Sequence, residues 1–164
     1  SGSVVLLEEQ DRQLWDRRLI TEALALVDKA MRHRRPGPYQ VQAAIAALHA
    51  RASRPVDTDW AEIELLYTTL QRLQPSPIVT LNRAVAVEKL CGPDAALTMV
   101  EPLADKLASY FYFHGARGHF LSQLGRREEA GEAFSRAIAL ANTAAEAAHI
   151  RKRLDQLAAP ARKP

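Results

Sequence analysis

The feature that most constrains this sequence is a pattern of small and large residues that recurs after 34 positions. It links the segments "NRAVAVEKLCGPDAALTMVEPL" and "GHFLSQLGRREEAGEAFSRAIALAN". The matched pairs are Ala84 with Gly118, Val87 with Leu121, Ala96 with Ala130, and Val100 with Phe134. A small residue lets two helices approach and a large residue fills the gap between them. The pattern therefore predicts stacked helix pairs, with Gly118 and Ala130 at helix contacts and Phe134 filling a hairpin.

The rest of the sequence follows a helical pattern. Apolar residues recur at steps of three and four, and no segment has the alternation that a strand requires. Glycines and prolines separate the periodic segments, as in "RRPGPYQ" and "PSP". The sequence predicts an all-α chain whose helices span about 11–34, 38–52, 60–74, 77–90, 93–108, 110–124, 127–141 and 144–159.

Two of these helices carry capping residues at their starts. Asp59 is followed three residues later by Glu62, and Thr143 is followed in the same way by Glu146. In this arrangement each side chain accepts a hydrogen bond from the backbone amide of the other residue. We expect the third helix to begin after Asp59 and the eighth after Thr143.

Composition indicates one globular domain. The chain has 164 residues, of which 48% are hydrophobic and 25% are charged, enough to bury a core. No apolar run is long enough to span a membrane and no signal peptide is evident, so a cytoplasmic location is expected. The start, Ser-Gly-Ser without methionine, suggests that residues 1–3 are a cloning remnant. We expect a single domain over 4–159 and a frayed tail over 160–164.

The sequence contains no pattern typical of a catalytic or cofactor site. His114 and His119 are five positions apart, whereas a helical metal pair needs four, and no carboxylate or thiol completes a set. Phosphate-binding loops and nucleophile motifs are also missing. We predict no enzyme activity, no cofactor and no metal. The single cysteine, Cys91, is expected to be a small buried residue.

The net charge is only +3, and the basic residues cluster at one place, Arg32, His33, Arg34 and Arg35. Cations at the end of the first helix complement its negative dipole end without any nucleic acid. We therefore expect no direct DNA contact. DNA binding through this cluster is an alternative hypothesis about function, beside the two given below.

Two segments have more apolar surface than one core needs. Successive side chains on a helix differ by about 100 degrees, so the run "YFYF" at 110–113 cannot face a single core. The fourth helix is apolar nearly all round. Either neighbouring repeats cover these surfaces, or they form an exposed docking groove. The residues predicted to border that groove and bind a partner are Asn82, Arg83, Tyr110, Tyr112, His114 and Arg117.

The 34-residue period resembles that of the tetratricopeptide repeat. The match is partial, because His114, Leu121 and Asn142 stand where that repeat usually has tryptophan, tyrosine and proline. "YTTLQRLQP" fits a further pair loosely. The resemblance implies a right-handed solenoid of about three helix pairs, with an additional N-terminal helix and a C-terminal capping helix.

A second resemblance covers nearly the whole chain, from Val4 to about Ala158. The order "DRQLWDRRLITEAL", "RRPGPYQVQAAIAALHA", "DTDWAEIELLYTTL", "SPIVTLNRAVAVEKLCGPDAAL" resembles the C-terminal extension of bacterial extracytoplasmic-function (ECF) RNA polymerase sigma factors with tetratricopeptide-like repeats. It implies that promoter- and polymerase-binding domains lie upstream. It also implies a non-enzymatic regulator that contacts the sigma core domains or RNA polymerase. The alternative is a small-molecule sensor whose pocket is lined by Tyr110, Tyr112, His114 and Arg117.

Overall fold

The computed structural model describes residues 10–32 and 36–159 of the chain. These residues form eight α-helices and three short 3-10 turns, and they contain no strand. The predicted all-α class is therefore confirmed. The helices are α1 (Arg17–Met31), α2 (Pro38–Arg51), α3 (Trp60–Leu73), α4 (Pro77–Cys91), α5 (Pro93–Val100), α6 (Phe111–Gln123), α7 (Arg127–Leu140) and α8 (Ala144–Ala158).

The chain divides into two compact units by the contacts between its residues. The first unit ends at Ala86 and the second begins at Val87. The predicted cloning remnant, the predicted frayed tail and residues 33–35 of the basic cluster lie outside the described residues. A single domain over 4–159 stays a prediction. Within the described ranges, no helix is both long and apolar enough to cross a membrane.

The first helix begins later than the sequence predicted. Arg12–Leu14 form a 3-10 turn, and the backbone at Trp15 is extended. The carboxylate of Asp16 then accepts hydrogen bonds from the amides of Arg18 and Leu19, which would otherwise lack partners. This local capping starts α1 at Arg17, so the predicted start at Asp11 was wrong.

The fifth helix ends earlier than predicted. The α-helix stops at Val100, and Glu101–Leu103 form a 3-10 turn. Pro102 lacks an amide hydrogen and cannot donate to the carbonyl four residues before it, which interrupts the α-helical pattern. The predicted end at Ala108 was therefore wrong.

At Asp59 one half of the predicted reciprocal pair of hydrogen bonds is present, and at Thr143 both halves are. The Asp59 carboxylate accepts a hydrogen bond from the Glu62 amide at 3.0 Å. At the start of α8, Thr143 and Glu146 form the full reciprocal box, with the Glu146 amide 3.1 Å from the Thr143 hydroxyl. These caps fix the starts of α3 and α8 where the sequence placed them.

The first unit has its own hydrophobic core, formed by α2, α3 and the first part of α4. Trp60, Leu66 and Tyr67 of α3 pack against its edge while remaining partly exposed. The buried members are Val41, Ile45, Leu48, Ile63, Leu70, Val79 and Ala86. Several α4 side chains stay exposed, including Ile78 and Leu90, so α4 is apolar on more than one side as predicted.

The second unit is organised by a close approach of α6 and α7. A Cβ built on Gly118 would lie 2.6 Å from two ring carbons of Phe134, which is 1% exposed. Ala130 is fully buried. The predicted contact between Gly118 and Phe134 is therefore confirmed, and Ala130 is buried as its predicted role requires.

The "YFYF" run divides between core and surface as the helical geometry required. Phe111 and Phe113 are buried, whereas Tyr112 is 56% exposed. Cys91, the last residue of α4, is exposed rather than buried. The expectation of a buried cysteine was wrong, because the residue lies at the end of its helix, next to the Gly92 turn, where few side chains can cover it.

We predict that Gly118→Ala destabilises the chain. The new methyl group would overlap the buried Phe134 ring, at a cost of about 1–3 kcal/mol that exceeds the gain in helix propensity of about 1 kcal/mol. Thermal denaturation should show a lower Tm than for the wild type. Gly131→Ala is the control, because its Cβ would meet only Leu154 at an ordinary 3.8 Å, and it should raise the Tm. A Gly118→Ala variant as stable as the Gly131→Ala variant would contradict the prediction.

Candidate functional site

The first unit contains a cleft of about 590 Å³. Its walls come from α2, α3, the start of α4 and the turn that precedes α1. The lining residues are Trp15, Gln42, Ile45, Ala46, His49, Ala50, Tyr67, Leu70, Gln74, Ser76, Ile78, Val79 and Asn82. None of them is Asp, Glu, Lys or Arg. We call this site the first-unit cleft.

Arg12 positions one wall of the first-unit cleft. Its side chain is 4% exposed, and one guanidinium nitrogen donates to the carbonyls of His49 and Ala52 at 2.8 and 2.5 Å. Both carbonyls lie at the C-terminal end of α2, where helix carbonyls lack internal partners and the helix dipole favours a cation. The guanidinium also lies 5.2 Å from the centre of the Trp15 ring. Arg12 thus attaches the turn that carries Trp15 to the end of α2.

Two aromatic side chains, those of His49 and Tyr67, form part of the other walls. The ring of His49 meets Trp60 edge to face, with centroids 5.3 Å apart. Tyr67 is partly buried, and this burial raises the pKa of its phenol, which keeps the group neutral at physiological pH. The side chains that line the cleft are therefore almost entirely uncharged.

Two of the predicted partner-binding residues belong to the first unit. Asn82 lines the first-unit cleft and is exposed. Its neighbour Arg83 is directed to α3, where its guanidinium bonds the Glu64 carboxylate at 2.6–2.7 Å. Asn82 is thus available to a ligand, whereas Arg83 already has a carboxylate partner within the unit.

The other four predicted residues lie between the N-cap and the middle of α6, in the second unit. Tyr110 and Tyr112 are brought together, with ring centroids 5.5 Å apart. The Tyr112 hydroxyl is 3.5 Å from the Glu146 carboxylate of α8. The pKa of Tyr112 is raised, mainly by partial burial of the ring and to a smaller extent by the nearby Glu146 carboxylate. The two tyrosines form one aromatic patch with an exposed edge.

His114 and Arg117 have separate partners. A ring nitrogen of His114 lies 2.8 Å from the carbonyl oxygen of Ala108. Arg117 donates to the Glu101 carboxylate at 2.8 Å. That these two side chains line a small pocket together with the tyrosines stays a prediction. That all six residues border one groove stays a prediction.

A row of polar side chains joins three helices of the second unit. His119 of α6 lies 3.6 Å from the Glu88 carboxylate at the end of α4. Its other ring nitrogen lies 3.0 Å from a guanidinium nitrogen of Arg153 in α8. We call Glu88, His119 and Arg153 the polar row. It runs across the unit from α4 through α6 to α8.

Sequence reasoning missed both the cleft and the polar row. The sequence predicted one continuous helix from residue 11, which would leave no turn at Trp15, and His119 was considered only as a metal ligand. The 34-residue period could have paired His119 with Arg153, since that is their separation. No group of three or more His, Cys, Asp and Glu side chains placed to hold a metal ion occurs among residues 10–32 and 36–159.

We predict that Arg12→Ala lowers the free energy of unfolding by about 2 kcal/mol, because a buried charged hydrogen bond is lost. The Trp15 emission should also shift to longer wavelength as its ring loses its neighbour. The control is Arg18→Ala, whose side chain is 87% exposed and bonds Glu22 one turn away. That change should cost less than about 0.5 kcal/mol. If the two variants lower the free energy of unfolding equally, Arg12 does not stabilise the contact between its turn and the end of α2.

A comparison with known proteins finds a longer relative of this chain. No family model matches the chain. The chain is similar to a protein of Rhizobium meliloti (strain 1021) named "Uncharacterized protein R00370", with 71% identity over 159 residues, which cover 97% of the chain. The match spans 38% of the length of that relative. The chain therefore corresponds to one region of a considerably longer protein.

Proposed function

We propose that this chain is a non-enzymatic regulatory domain of an ECF RNA polymerase sigma factor. In this proposal the domain is a right-handed solenoid of tetratricopeptide-like helix pairs, and it modulates transcription initiation in the cytoplasm. It does so by contacting the sigma core domains or RNA polymerase, without touching DNA itself. The fold, the surface chemistry and the longer relative each support part of this proposal.

The 34-residue stride is the observation that carries the proposal. Two side-chain contacts between α6 and α8 join residues 34 apart: Tyr112 with Glu146, and His119 with Arg153. The sequence period between α4 and α6 is the same. A regular step between alternate helices is what a stack of helix pairs produces. The Gly118 and Phe134 contact supports the same interpretation, because it lets the helices of one pair approach closely.

The surface at the start of α6 supports a protein partner. Tyr112 is an exposed aromatic residue beside Tyr110, and Arg117 lies one to two turns further along the helix. Tyrosine and arginine are enriched among the residues that contribute most to protein interfaces. The carboxylates of Glu101 and Glu146 border this surface, so the patch combines apolar area with both signs of charge.

The longer relative supports a domain that acts on other parts of its own protein. Since 38% of that protein corresponds to this chain, the remaining region is available as a natural partner to test. This comparison also provides the material for the experiment, because the R. meliloti protein can be divided at the edge of the match.

We expect the 164-residue chain to bind the remaining region of the R. meliloti relative in a calorimetric titration. Tyr112→Ala should weaken that binding about tenfold, which corresponds to about 1.4 kcal/mol. Tyr39→Ala is the matched control, because Tyr39 is also an exposed helical tyrosine, at 84%, but lies on α2. It should leave the affinity unchanged.

Two results together would overturn the proposal. One is the lack of measurable association between the chain and that region. The other is full promoter activity in a transcription assay of the relative after deletion of the part that matches this chain. Equal effects of Tyr112→Ala and Tyr39→Ala would instead place the partner away from the start of α6.

A further inference from the structure

We propose that the first-unit cleft binds a small uncharged molecule that has a largely apolar body and one edge of amide or hydroxyl character. This site differs from the pocket that the sequence suggested around Tyr110, Tyr112, His114 and Arg117. The inference is independent of the contact with sigma domains, because all of the lining residues belong to the first unit.

The floor of the cleft is apolar and belongs to the core. Ile45, Leu70 and Val79 line the cleft and are 6%, 2% and 8% exposed. Since the same side chains pack within the core of the unit, they are held in place before any ligand arrives. Preformed apolar surface of this kind is typical of small-molecule sites.

The rim of the cleft carries neutral groups that can both donate and accept hydrogen bonds. The carboxamides of Gln42, Gln74 and Asn82 lie on three different helices or helix ends. Their side chains are exposed, and they make no hydrogen bond with any other residue in the described part of the chain. A ligand with an amide or hydroxyl edge could accept hydrogen bonds from these carboxamides and also donate hydrogen bonds to them.

Because the lining has no carboxylate, ammonium or guanidinium side chain, the cleft disfavours ionic ligands. Taking a charged group out of water is costly unless an opposite charge compensates for it. The lining offers no Asp, Glu, Lys or Arg, and the guanidinium of Arg12 already bonds two carbonyls at the end of α2. A neutral ligand avoids this cost, whereas a carboxylate or an ammonium ion would not.

The size of the cleft favours a small molecule over a protein segment. Its volume of about 590 Å³ lies within the range of about 300–1,000 Å³ for ligand pockets. A stable protein interface usually buries more than about 1,000 Å² of surface, well beyond what one cleft offers. A short apolar segment of a protein partner is therefore the alternative that the experiment must separate.

The experiment compares two fluorescent probes that differ in charge. N-phenyl-1-naphthylamine is neutral, whereas 1-anilinonaphthalene-8-sulfonate has the same ring system and carries a negative charge. Both are titrated into the full 164-residue chain at pH 8, where an ordinary imidazole is neutral. We expect saturable binding of the neutral probe with energy transfer from tryptophan. The sulfonate should bind at least about tenfold more weakly, a difference of about 1.4 kcal/mol.

Two alanines of α2 provide a matched pair of variants. Ala46 and Ala43 are both exposed, but Ala46 lines the cleft and Ala43 does not. Ala46→Phe should fill the cleft and weaken binding of the neutral probe at least about tenfold, whereas Ala43→Phe should change it less than about twofold. Because both substituted positions are exposed on the same helix, we expect each variant to fold like the wild type, which circular dichroism and Tm would check.

Three results would overturn this inference. The neutral probe could fail to bind, it could bind equally well to the Ala46→Phe and Ala43→Phe variants, or the sulfonate could bind as tightly at the same site. If the neutral probe fails but Ala46→Phe weakens binding of the R. meliloti region, the cleft holds a protein segment instead. That outcome would leave the proposed regulatory function intact.

Discussion

The contact between Gly118 and the Phe134 ring sets the geometry on which the second unit depends. A side chain at position 118 would collide with a buried ring, so the backbones of α6 and α7 can approach only because glycine is there. This approach buries Ala130 and Phe134. The first unit relies on a different device, because the guanidinium of Arg12 bonds the end of α2 and holds the turn that carries Trp15.

Arg12 shows how a buried charge can be accommodated by hydrogen bonds to main-chain carbonyls, with the Asp57 carboxylate contributing through longer-range attraction. The carbonyls at a helix C-terminus carry partial negative charge and lack internal partners, so a guanidinium can satisfy them while they compensate for part of its lost hydration. The same arrangement leaves the adjoining cleft free of acidic residues. A carboxylate partner in that position would have given the cleft a charge and a different class of ligand.

The two units differ in surface chemistry, which suggests different tasks. The first-unit cleft is neutral and has an apolar floor, as suits a small uncharged ligand. The second unit presents exposed aromatic area at Tyr112, with the charged side chains of Arg117, Glu101 and Glu146 around it. Such mixed surfaces are typical of contacts between proteins. A regulator that responds to a metabolite and acts on a protein would need both kinds of surface.

The sequence by itself determined the helical class, most helix bounds, the caps at Asp59 and Thr143, and the roles of Gly118, Ala130 and Phe134. These features follow from local hydrogen bonding and from a periodic spacing that is visible in one dimension. The tertiary structure decided the partners of Arg83 and Arg117, the exposure of Cys91, the burial of Arg12 and the cleft around Trp15. Apart from the exposure of Cys91 at a helix end, each of these depends on which distant segments meet, as when Arg12 reaches carbonyls 37 and 40 positions away. The 34-residue period carries no information about these meetings, because their separations of 37, 40, 19 and 16 positions do not follow it and they arise only when helices pack against each other.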